Sequence, residues 1–119
     1  MKVAILGASA KPDRYSYKAL KELSEAGHDI FPVNPALEEI EGVKVYSSLR
    51  DITDRIDMVT IYMSPERSSM IAEDIVLKNP LRVIFNPGAE NKELSEKLIA
   101  SGVKVLEACT LVMLRTGTF

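Results

Sequence analysis

The chain has 119 residues, which is enough for one domain with a single buried core and leaves no room for a second catalytic domain. Hydrophobic residues make up 46% of it and charged residues 27%, a composition that excludes disordered, collagen-like and low-complexity proteins. Fifteen Lys and Arg against 17 Asp and Glu give a net charge of -2. Without a positive excess, the chain is not expected to bind a nucleic acid.

The cysteine content and the apolar runs predict where the protein works. Cys109 is the only cysteine, so no intrachain disulfide can form and a reducing compartment is expected. Ala8-Ser9-Ala10 imitates a signal-peptidase site, but the preceding apolar run, residues 3–6, is shorter than the roughly 7 residues of an export signal. No apolar stretch approaches the ~20 residues of a membrane span. The sequence therefore predicts a soluble cytoplasmic protein without a membrane partner.

Short β-branched runs alternate along the chain with segments of helical periodicity, which is typical of βαβ units. Strands are predicted over residues 3–6, 28–33, 43–46, 58–62, 82–85 and 103–106, the third of them at a sheet edge. Helices are predicted over residues 13–26, 65–78 and 91–101, with a brief helical turn within 47–54. The apolar stripe of the second helix is expected to be Met70, Ile71 and Ile75 with Val76 or Leu77. Residues 109–119 are predicted to form a tail that either covers a sheet edge or pairs with a second subunit in a homodimer.

This alternation predicts a doubly wound α/β domain over residues 1–119, with a mostly parallel sheet between two layers of helices. Such three-layer α/β/α sheets bind ligands beyond the carboxyl ends of their strands, where the strand order reverses. The segments expected at that edge are residues 7–17, 33–37, 62–67 and 86–91. Three of them carry an X-Pro dipeptide directly after a strand: Asn34-Pro35, Ser64-Pro65 and Asn86-Pro87.

The first of these loops favours phosphate binding. Gly7 lets the chain turn tightly after the first strand, and Gly7-Ala8-Ser9 leads to a helix N-terminus, where free N–H groups favour an anion. Lys11 and Arg14 lie in the same turn. The full G-x-G-x-x-G motif is absent, so a simple structural turn remains the alternative.

The end of the second strand bears on the type of nucleotide. Domains that bind NAD usually place an Asp or Glu there, about 20 residues after the glycines, to hold the ribose 2′-hydroxyl. Here the strand ends in Pro32-Val33-Asn34-Pro35, without an acid. A missing carboxylate permits a nucleotide with an extra phosphate on its ribose, although it does not prove one.

With these residues the chain resembles the small single-domain coenzyme A-binding proteins, which are similar to the CoA-binding domain of the succinyl-CoA synthetase α subunit. The matching stretches follow one another along almost the whole chain: Gly7-Ala8-Ser9, Arg14-Tyr15-Ser16-Tyr17, Gly27-His28, Pro32-Val33-Asn34-Pro35, Tyr62-Met63-Ser64-Pro65, the segment 85–91 and the segment 109–114. The resemblance implies a Rossmann-like sheet that holds CoA or an acyl-CoA at its carboxyl edge. The synthetase's phosphorylated histidine and ligase domain lie beyond such a module, so its thioester-forming activity is not expected here.

The resemblance also implies which residues contact the nucleotide cofactor. Gly7, Ala8 and Ser9 would contact the diphosphate, with Arg14 as its charge partner. The adenosine pocket would be lined by Val33, Asn34 and Pro35, and the pantetheine path would be bordered by Met63, Ser64, Pro65, Pro87 and Gly88.

Candidates for catalysis are few. His28 is expected at the amino edge of the sheet, far from the ligand edge. Cys109 is either a buried inert thiol or a thiol that exchanges with bound pantetheine. Glu90 and Asn91 either face the thiol end of the ligand or cap the following helix. No Ser-His-Asp set, metal cluster or carboxylate pair can be assembled.

A CoA or acyl-CoA binding, sensing or carrier module is therefore the favoured function, and an enzyme is disfavoured. Three alternatives remain open: a small acyl-CoA-using enzyme that works through Glu90 or Cys109, an NAD-binding oxidoreductase-type domain, and an interaction domain with a vestigial pocket.

Overall fold

The computed structural model describes residues 1–119 and contains a five-stranded sheet flanked by helices. The strands are β1 (Lys2–Leu6), β2 (Asp29–Val33), β3 (Glu39–Ile40), β4 (Val43–Lys44), β5 (Met58–Ile61), β6 (Arg82–Phe85) and β7 (Lys104–Glu107). The helices are α1 (Tyr15–Glu25), α2 (Pro65–Met70), α3 (Ala72–Lys78), α4 (Lys92–Ala100) and α5 (Thr110–Thr116), with a 3-10 turn at Leu49–Asp51. The expected doubly wound α/β fold is confirmed.

The main sheet is parallel throughout and has the strand order β2-β1-β5-β6-β7. Strand order reverses between β1 and β5, since the chain passes from β1 outward to β2 and then returns to the other side of β1. The connections on the two sides of this point leave toward opposite faces, which opens a crevice at the carboxyl edge.

Continuous apolar runs form the central strands because both of their faces are covered by helices. All four residues of β5 are fully buried. On one face, Leu6 and Phe85 pack in a cluster with Leu49, Ile75 and other residues from the 3-10 turn, α3 and α4. On the opposite face, a second cluster joins the sheet to α1 and α5.

The predicted third strand is only partly formed. Residues 43–44 pair in an antiparallel hairpin with β3, and only Tyr46 bridges to Val33 at the outer side of β2. The Tyr46 N–H donates to the carbonyl oxygen of Pro32 at 2.9 Å. The N–H and C=O groups of one residue lie on the same side of a strand. The nitrogen of Pro32, which carries no hydrogen, therefore lies on the outer side of β2 and not on the side that pairs with β1, and a proline is tolerated there.

Two helical predictions need correction. The single helix expected over residues 65–78 is divided at Ile71, whose φ of -114° and ψ of 18° end α2 before α3 begins. Met70 and Leu77, expected in the apolar stripe, are 85% and 79% exposed, whereas Ile75 is fully buried.

The prediction that residues 109–119 form a tail also needs correction. Residues 110–116 form helix α5, which packs on α1 and buries Leu111 and Met113. The segment therefore contributes to the core of its own chain and covers a face of the sheet rather than an edge. No helix in the structure is both long and apolar enough to cross a membrane.

Candidate functional site

A cleft of about 960 Å³ lies at the carboxyl edge of the sheet, at the reversal of strand order between β1 and β5. Eleven of the twelve residues predicted to contact a cofactor line it: Gly7, Ala8, Ser9, Arg14, Val33, Asn34, Pro35, Met63, Ser64, Pro87 and Gly88. The twelfth, Pro65, begins α2 outside the lining. The structure thus brings four separate loops into one concave surface, while contact of these residues with a ligand stays a prediction.

The turn at Gly7 is constrained by its backbone conformation and by a close neighbour. Its φ is +83°, which L-residues with a side chain rarely adopt, and a Cβ there would lie 3.2 Å from the carbonyl carbon of Tyr62. The Tyr62 N–H donates to the carbonyl oxygen of Leu6 at 2.9 Å, which holds the two chains together. Glycine at this position therefore lets β1 turn against the end of β5.

Helix α1 begins at the cleft without a side-chain cap. Arg14 occupies the N-cap position, no side chain bonds to the first-turn N–H groups, and no acidic residue lies in that turn. Free N–H groups at the start of an 11-residue helix favour an anion. The cleft is therefore suited to a negatively charged group at this end.

Asn34 fixes the loop after β2 by hydrogen bonds on both sides of its amide. Its Nδ2 donates to the carbonyl oxygen of Ala8 at 2.7 Å, and its Oδ1 accepts from the N–H of Ala36 at 2.8 Å. The side chain thus ties the Gly7–Ser9 turn to the loop expected at the adenosine. No carboxylate stands at this strand end, where NAD-binding domains have one.

The charges of the cleft are mostly positive and unpaired. Lys11, Arg14 and Arg67 line it and take part in no ion pair within the chain. Its one acidic side chain, Asp74, accepts hydrogen bonds from Arg50 at 2.8 and 3.1 Å. Since this carboxylate is already balanced, the cleft offers three free cations to an anionic ligand.

A buried hydrogen-bond network lies below the cleft around Asn86. Its Nδ2 donates to Thr60 Oγ1 at 2.7 Å and to the carbonyl oxygen of Ile61 at 3.0 Å, and its Oδ1 accepts from the N–H of Thr110 at 2.9 Å. The hydroxyls of Thr60 and Thr110 are 2.8 Å apart. Asn86 therefore caps α5 from another part of the chain and joins that helix to β5.

Asn91 has a structural role at the start of α4. Its Oδ1 accepts from the N–H of Leu94 at 3.0 Å and caps α4, while its Nδ2 donates to the carbonyl oxygen of Pro65 and to the Oγ atoms of Ser68 and Ser69. This second set of bonds fixes α2 against α4. The neighbouring Glu90 bends back and accepts from the N–H of Gly88 at 2.9 Å.

Tyr62 places a buried hydroxyl beside the cleft. Burial raises the pKa of this phenol to about 12, because the ionised form would lose its hydration. The hydroxyl oxygen is inaccessible to solvent and forms no hydrogen bond of normal geometry, although the nearby hydroxyls of Thr60 and Thr110 counter part of this rise in pKa. It is therefore a neutral polar group without a partner, which is uncommon inside a protein.

The cleft contains twelve residues that the sequence did not predict as ligand contacts: Lys11, Tyr15, Ser16, Ser47, Ser48, Leu49, Tyr62, Arg67, Met70, Ile71, Asp74 and Ala89. Tyr15, in the first turn of α1, is 67% exposed. The segments 47–49 and 67–74 carry no ligand motif.

The remaining catalytic candidates lie outside the lining. His28 packs edge to face on Phe119 at the amino edge of the sheet, with the ring centroids 5.3 Å apart. Cys109 is half-buried at the start of α5, and Glu90 is exposed. No group of three or more His, Cys, Asp or Glu side chains is placed to hold a metal ion.

The chain is similar to known proteins both in sequence and in fold. Residues 1–115 match the family model described as the CoA binding domain. The uncharacterized protein YneT of Bacillus subtilis is 33% identical over 88% of this chain and 78% of its own length. The α subunit of ADP-forming acetate–CoA ligase I from Pyrococcus furiosus is 33% identical over 86% of this chain, which spans only 25% of that subunit. An uncharacterized protein of known crystal structure is 40% identical, with a TM-score of 0.94 over 99% of this chain and 97% of its own.

Proposed function

The chain belongs to the CoA-binding domain family, and from that premise we propose that it binds CoA or an acyl-CoA in the cleft at the carboxyl edge of the sheet, as a sensing or carrier module. The observation that carries the proposal is the concentration of Lys11, Arg14 and Arg67, all without carboxylate partners, around a glycine turn and an uncapped helix N-terminus. CoA carries a diphosphate and a ribose phosphate, so it needs several cations within the length of one nucleotide.

The diphosphate is assigned to the turn at Gly7, Ala8 and Ser9. The free N–H groups at the start of α1 and the guanidinium of Arg14 supply hydrogen-bond donors and positive charge there. Asn34 holds this turn beside the loop after β2, which supports placing adenosine next to Val33 and Pro35. The loop of Pro87 and Gly88 then leaves the pantetheine arm a path along the opposite side of the crevice.

The charge pattern favours CoA over NAD. No carboxylate stands at the end of β2 to accept the ribose hydroxyls, and Asp74, the only acid that lines the cleft, is engaged by Arg50. An extra ribose phosphate would meet cations instead of an acid. An oxidoreductase-type nucleotide is therefore the weaker candidate.

The proposal takes CoA from the ligase relatives and not their reaction. Their sequences extend far beyond the matched region, since the chain spans 25% of one α subunit and 8% of another acetate–CoA ligase. Within this chain Glu90 and Cys109 lie outside the cleft lining, so acyl-CoA turnover through either residue is not part of the proposed function. The absence of a possible disulfide supports a cytoplasmic location as part of the proposal.

Thermal unfolding and titration calorimetry with CoA, acetyl-CoA, NAD and ATP at equal concentration test the proposal. CoA at ~100 times its Kd should stabilise the protein by roughly 2.7 kcal/mol. For a domain of this size, that is a rise in Tm of roughly 10 °C. Arg14→Gln should weaken CoA binding about tenfold, because it removes a charge-assisted hydrogen bond to the diphosphate.

Lys104→Gln is the matched control for that loss of charge. Lys104 begins β7 at the amino edge of the sheet, opposite the cleft, and its removal should leave the Kd for CoA unchanged. A larger Tm rise with NAD than with CoA would overturn the assignment in favour of the oxidoreductase-type alternative. If no nucleotide shifts the Tm, the proposal is overturned in favour of an interaction domain with a vestigial pocket.

A further inference from the structure

The two edges of the main sheet differ in what covers them. Beyond β2, the Tyr46 N–H donates to the carbonyl oxygen of Pro32, and the Tyr46 carbonyl oxygen accepts from the N–H of Asn34, both at 2.9 Å. Beyond β7 there is no further strand or bridge. The sheet therefore ends at β7 in an open edge, and such an edge offers backbone hydrogen-bond groups to another chain.

Four backbone groups of β7 point away from the sheet. The N–H groups of Lys104 and Ala108 donate to the segment 81–85, at 3.2 and 3.1 Å. Alternate residues of a strand bond to the same neighbour, so the N–H and C=O groups of Val105 and Glu107 face outward. No loop or turn of the chain bonds to any of these four groups.

The side chains at the open edge are apolar in the middle and charged at the two ends. Val105 packs with the cluster on one face of the sheet and Leu106 with the cluster on the other, and both are half-buried. Ile99, on the helix α4 that contacts β7, is 61% exposed. Lys104 begins the strand and Glu107 ends it, and both are exposed. Apolar surface beside unpaired backbone groups is suited to pairing with a strand of another chain.

The charges of β7 favour one direction of pairing with a second copy. A parallel copy would place Lys104 beside Lys104 and Glu107 beside Glu107, and like charges across strands are destabilising. An antiparallel copy brings the Lys104 end of each strand to the Glu107 end of the other. The strand is therefore complementary in charge to an antiparallel copy of itself.

An antiparallel register centred on Leu106 satisfies all four outward groups. In this register Val105 of each strand lies opposite Glu107 of the other, and each such pair exchanges two N–H to C=O hydrogen bonds. Leu106 lies opposite Leu106 of the second copy in a non-hydrogen-bonded pair, whose Cα atoms are about 4.5 Å apart. The arrangement has a two-fold axis, so it closes at two copies.

We propose that the protein forms a symmetric dimer in which the β7 strands of two copies pair antiparallel about Leu106, so that their sheets become one continuous sheet. The inference goes beyond the proposed function, since no residue of β7 lines the cleft. Dimerisation and CoA binding should therefore be independent of each other.

Sedimentation equilibrium over a dilution series and amide hydrogen exchange test the proposal. At high concentration the mass should approach twice 13.2 kDa. The amides of Val105 and Glu107 should exchange slowly in the dimer and faster on dilution, because only the second copy protects them. The amide of Ala108, which is bonded to Phe85 within the chain, is the internal reference and should respond far less to dilution.

Charge reversal tests the direction of pairing. Lys104→Glu and Glu107→Lys each place like charges at both ends of the paired strands, so each should weaken dimerisation about tenfold. The double variant Lys104→Glu/Glu107→Lys exchanges the charges and should restore the wild-type dissociation constant. Lys18→Glu is the matched control, because Lys18 is exposed on α1, which contacts the opposite edge strand, β2. It should leave dimerisation unchanged.

A proline at the end of β7 tests the hydrogen bonds. Glu107→Pro removes an N–H that faces outward, so it breaks no bond within the chain and each copy should fold. The dimer would lose two of its four hydrogen bonds between strands, and the proline rings would obstruct the pairing. The variant should remain monomeric over the whole dilution series. If it does not fold, the charge-reversal variants decide.

Three results overturn the inference. The first is a wild-type protein that is monomeric at every concentration. The second is a dimer in which the amides of Val105 and Glu107 exchange as fast as in the monomer, which would place the interface elsewhere. The third is a double charge variant that dimerises no more tightly than the single variants, which would refute the antiparallel direction. All three leave the proposed function intact, because CoA titration measures it separately.

Discussion

Replacement of Gly7 by alanine tests whether the cleft depends on the close approach of two backbones. Gly7 has a φ of +83°, and a Cβ there would lie 3.2 Å from the backbone carbon of Tyr62 and 3.4 Å from the nitrogen of Met63. Gly102 is the matched position, because its φ is +87° and a Cβ there would meet nothing within 4 Å. Gly7→Ala and Gly102→Ala therefore share the free-energy cost of alanine at a positive φ, and only Gly7→Ala adds a close contact with the Tyr62 backbone.

The magnitude has two parts. Alanine in the left-handed region costs about 1–2 kcal/mol, and this cost applies to both variants. At Gly7 the Tyr62 backbone must also move, although its N–H is bonded to Leu6 and the preceding carbonyl accepts from the N–H of Asn86 at 3.2 Å. Overpacking of this kind costs about 1–3 kcal/mol. We expect the free energy of unfolding to fall by about 2–5 kcal/mol in Gly7→Ala and by about 1–2 kcal/mol in Gly102→Ala.

Calorimetric unfolding and CoA titration measure the two consequences. For a domain of this length, each kcal/mol shifts Tm by about 4 °C, so the variants should differ by several degrees. Gly7→Ala should also weaken CoA binding, because the displaced turn no longer presents its N–H groups to the diphosphate. Gly102→Ala, which lies outside the cleft, should bind CoA as the wild type does.

Equal losses of stability in the two variants would refute the argument from close approach. If Gly7→Ala is destabilised as expected but binds CoA with the wild-type Kd, the proposed contact between this turn and the ligand is refuted. In that case the turn would be needed for the fold and not for the ligand.

Three further substitutions test the polar groups around the sheet. Asn86→Ala should lower the free energy of unfolding by roughly 2–4 kcal/mol in urea, since it leaves the buried N–H of Thr110 without an acceptor; an unchanged midpoint would contradict this. Tyr62→Phe should leave stability unchanged or raise it by up to about 1 kcal/mol, because the hydroxyl it removes is buried and unpaired; a lower urea midpoint would show that the hydroxyl has a partner. Burial and the nearby amino-terminal ammonium lower the pKa of His28 below 6.5, so the folded state favours the neutral ring, which accepts a hydrogen bond from Met1. The stability that neutral His28 contributes is fully present above pH 6.5 and is lost as the pH falls through the lowered pKa. The Tm should therefore drop less between pH 7.5 and 5.5 in His28→Gln than in the wild type. Equal drops in the two proteins would contradict this linkage.

Much of the local structure follows from signals within a few residues. Ser64 precedes a proline at the first position of α2, a pairing typical of helix starts, and its Oγ accepts from the N–H of Arg67 at 3.4 Å. Gly27 follows the end of α1 with a φ of +88°. The continuous apolar run of β1 predicted a central strand, and residues 3–6 are fully buried. These features depend on the backbone preferences and burial of single short segments, so the sequence contains them directly.

Helix α5 could not be predicted from signals in the neighbouring sequence. Its N-cap residue, Cys109, makes no side-chain hydrogen bond, so the sequence carries no start signal for a helix there. The missing acceptor comes from Asn86, 24 residues earlier, and becomes available only after β6 and α5 pack together. The division of the helix at Ile71 likewise accompanies hydrogen bonds from Asn91 to Ser68 and Ser69, which join two helices.

The sequence by itself determined the five strands of the main sheet, the sheet type and the loops at its carboxyl edge, since periodicity, prolines and glycines act locally. Eleven of the twelve predicted contact residues line the cleft because parallel strands necessarily bring those loops to one edge. Only the tertiary structure decided that Ser47–Leu49 and the residues Arg67, Met70, Ile71 and Asp74 line the same cleft as those loops. Their juxtaposition depends on how the helices pack on the sheet, and side-chain packing between distant segments leaves no periodic trace in a single sequence.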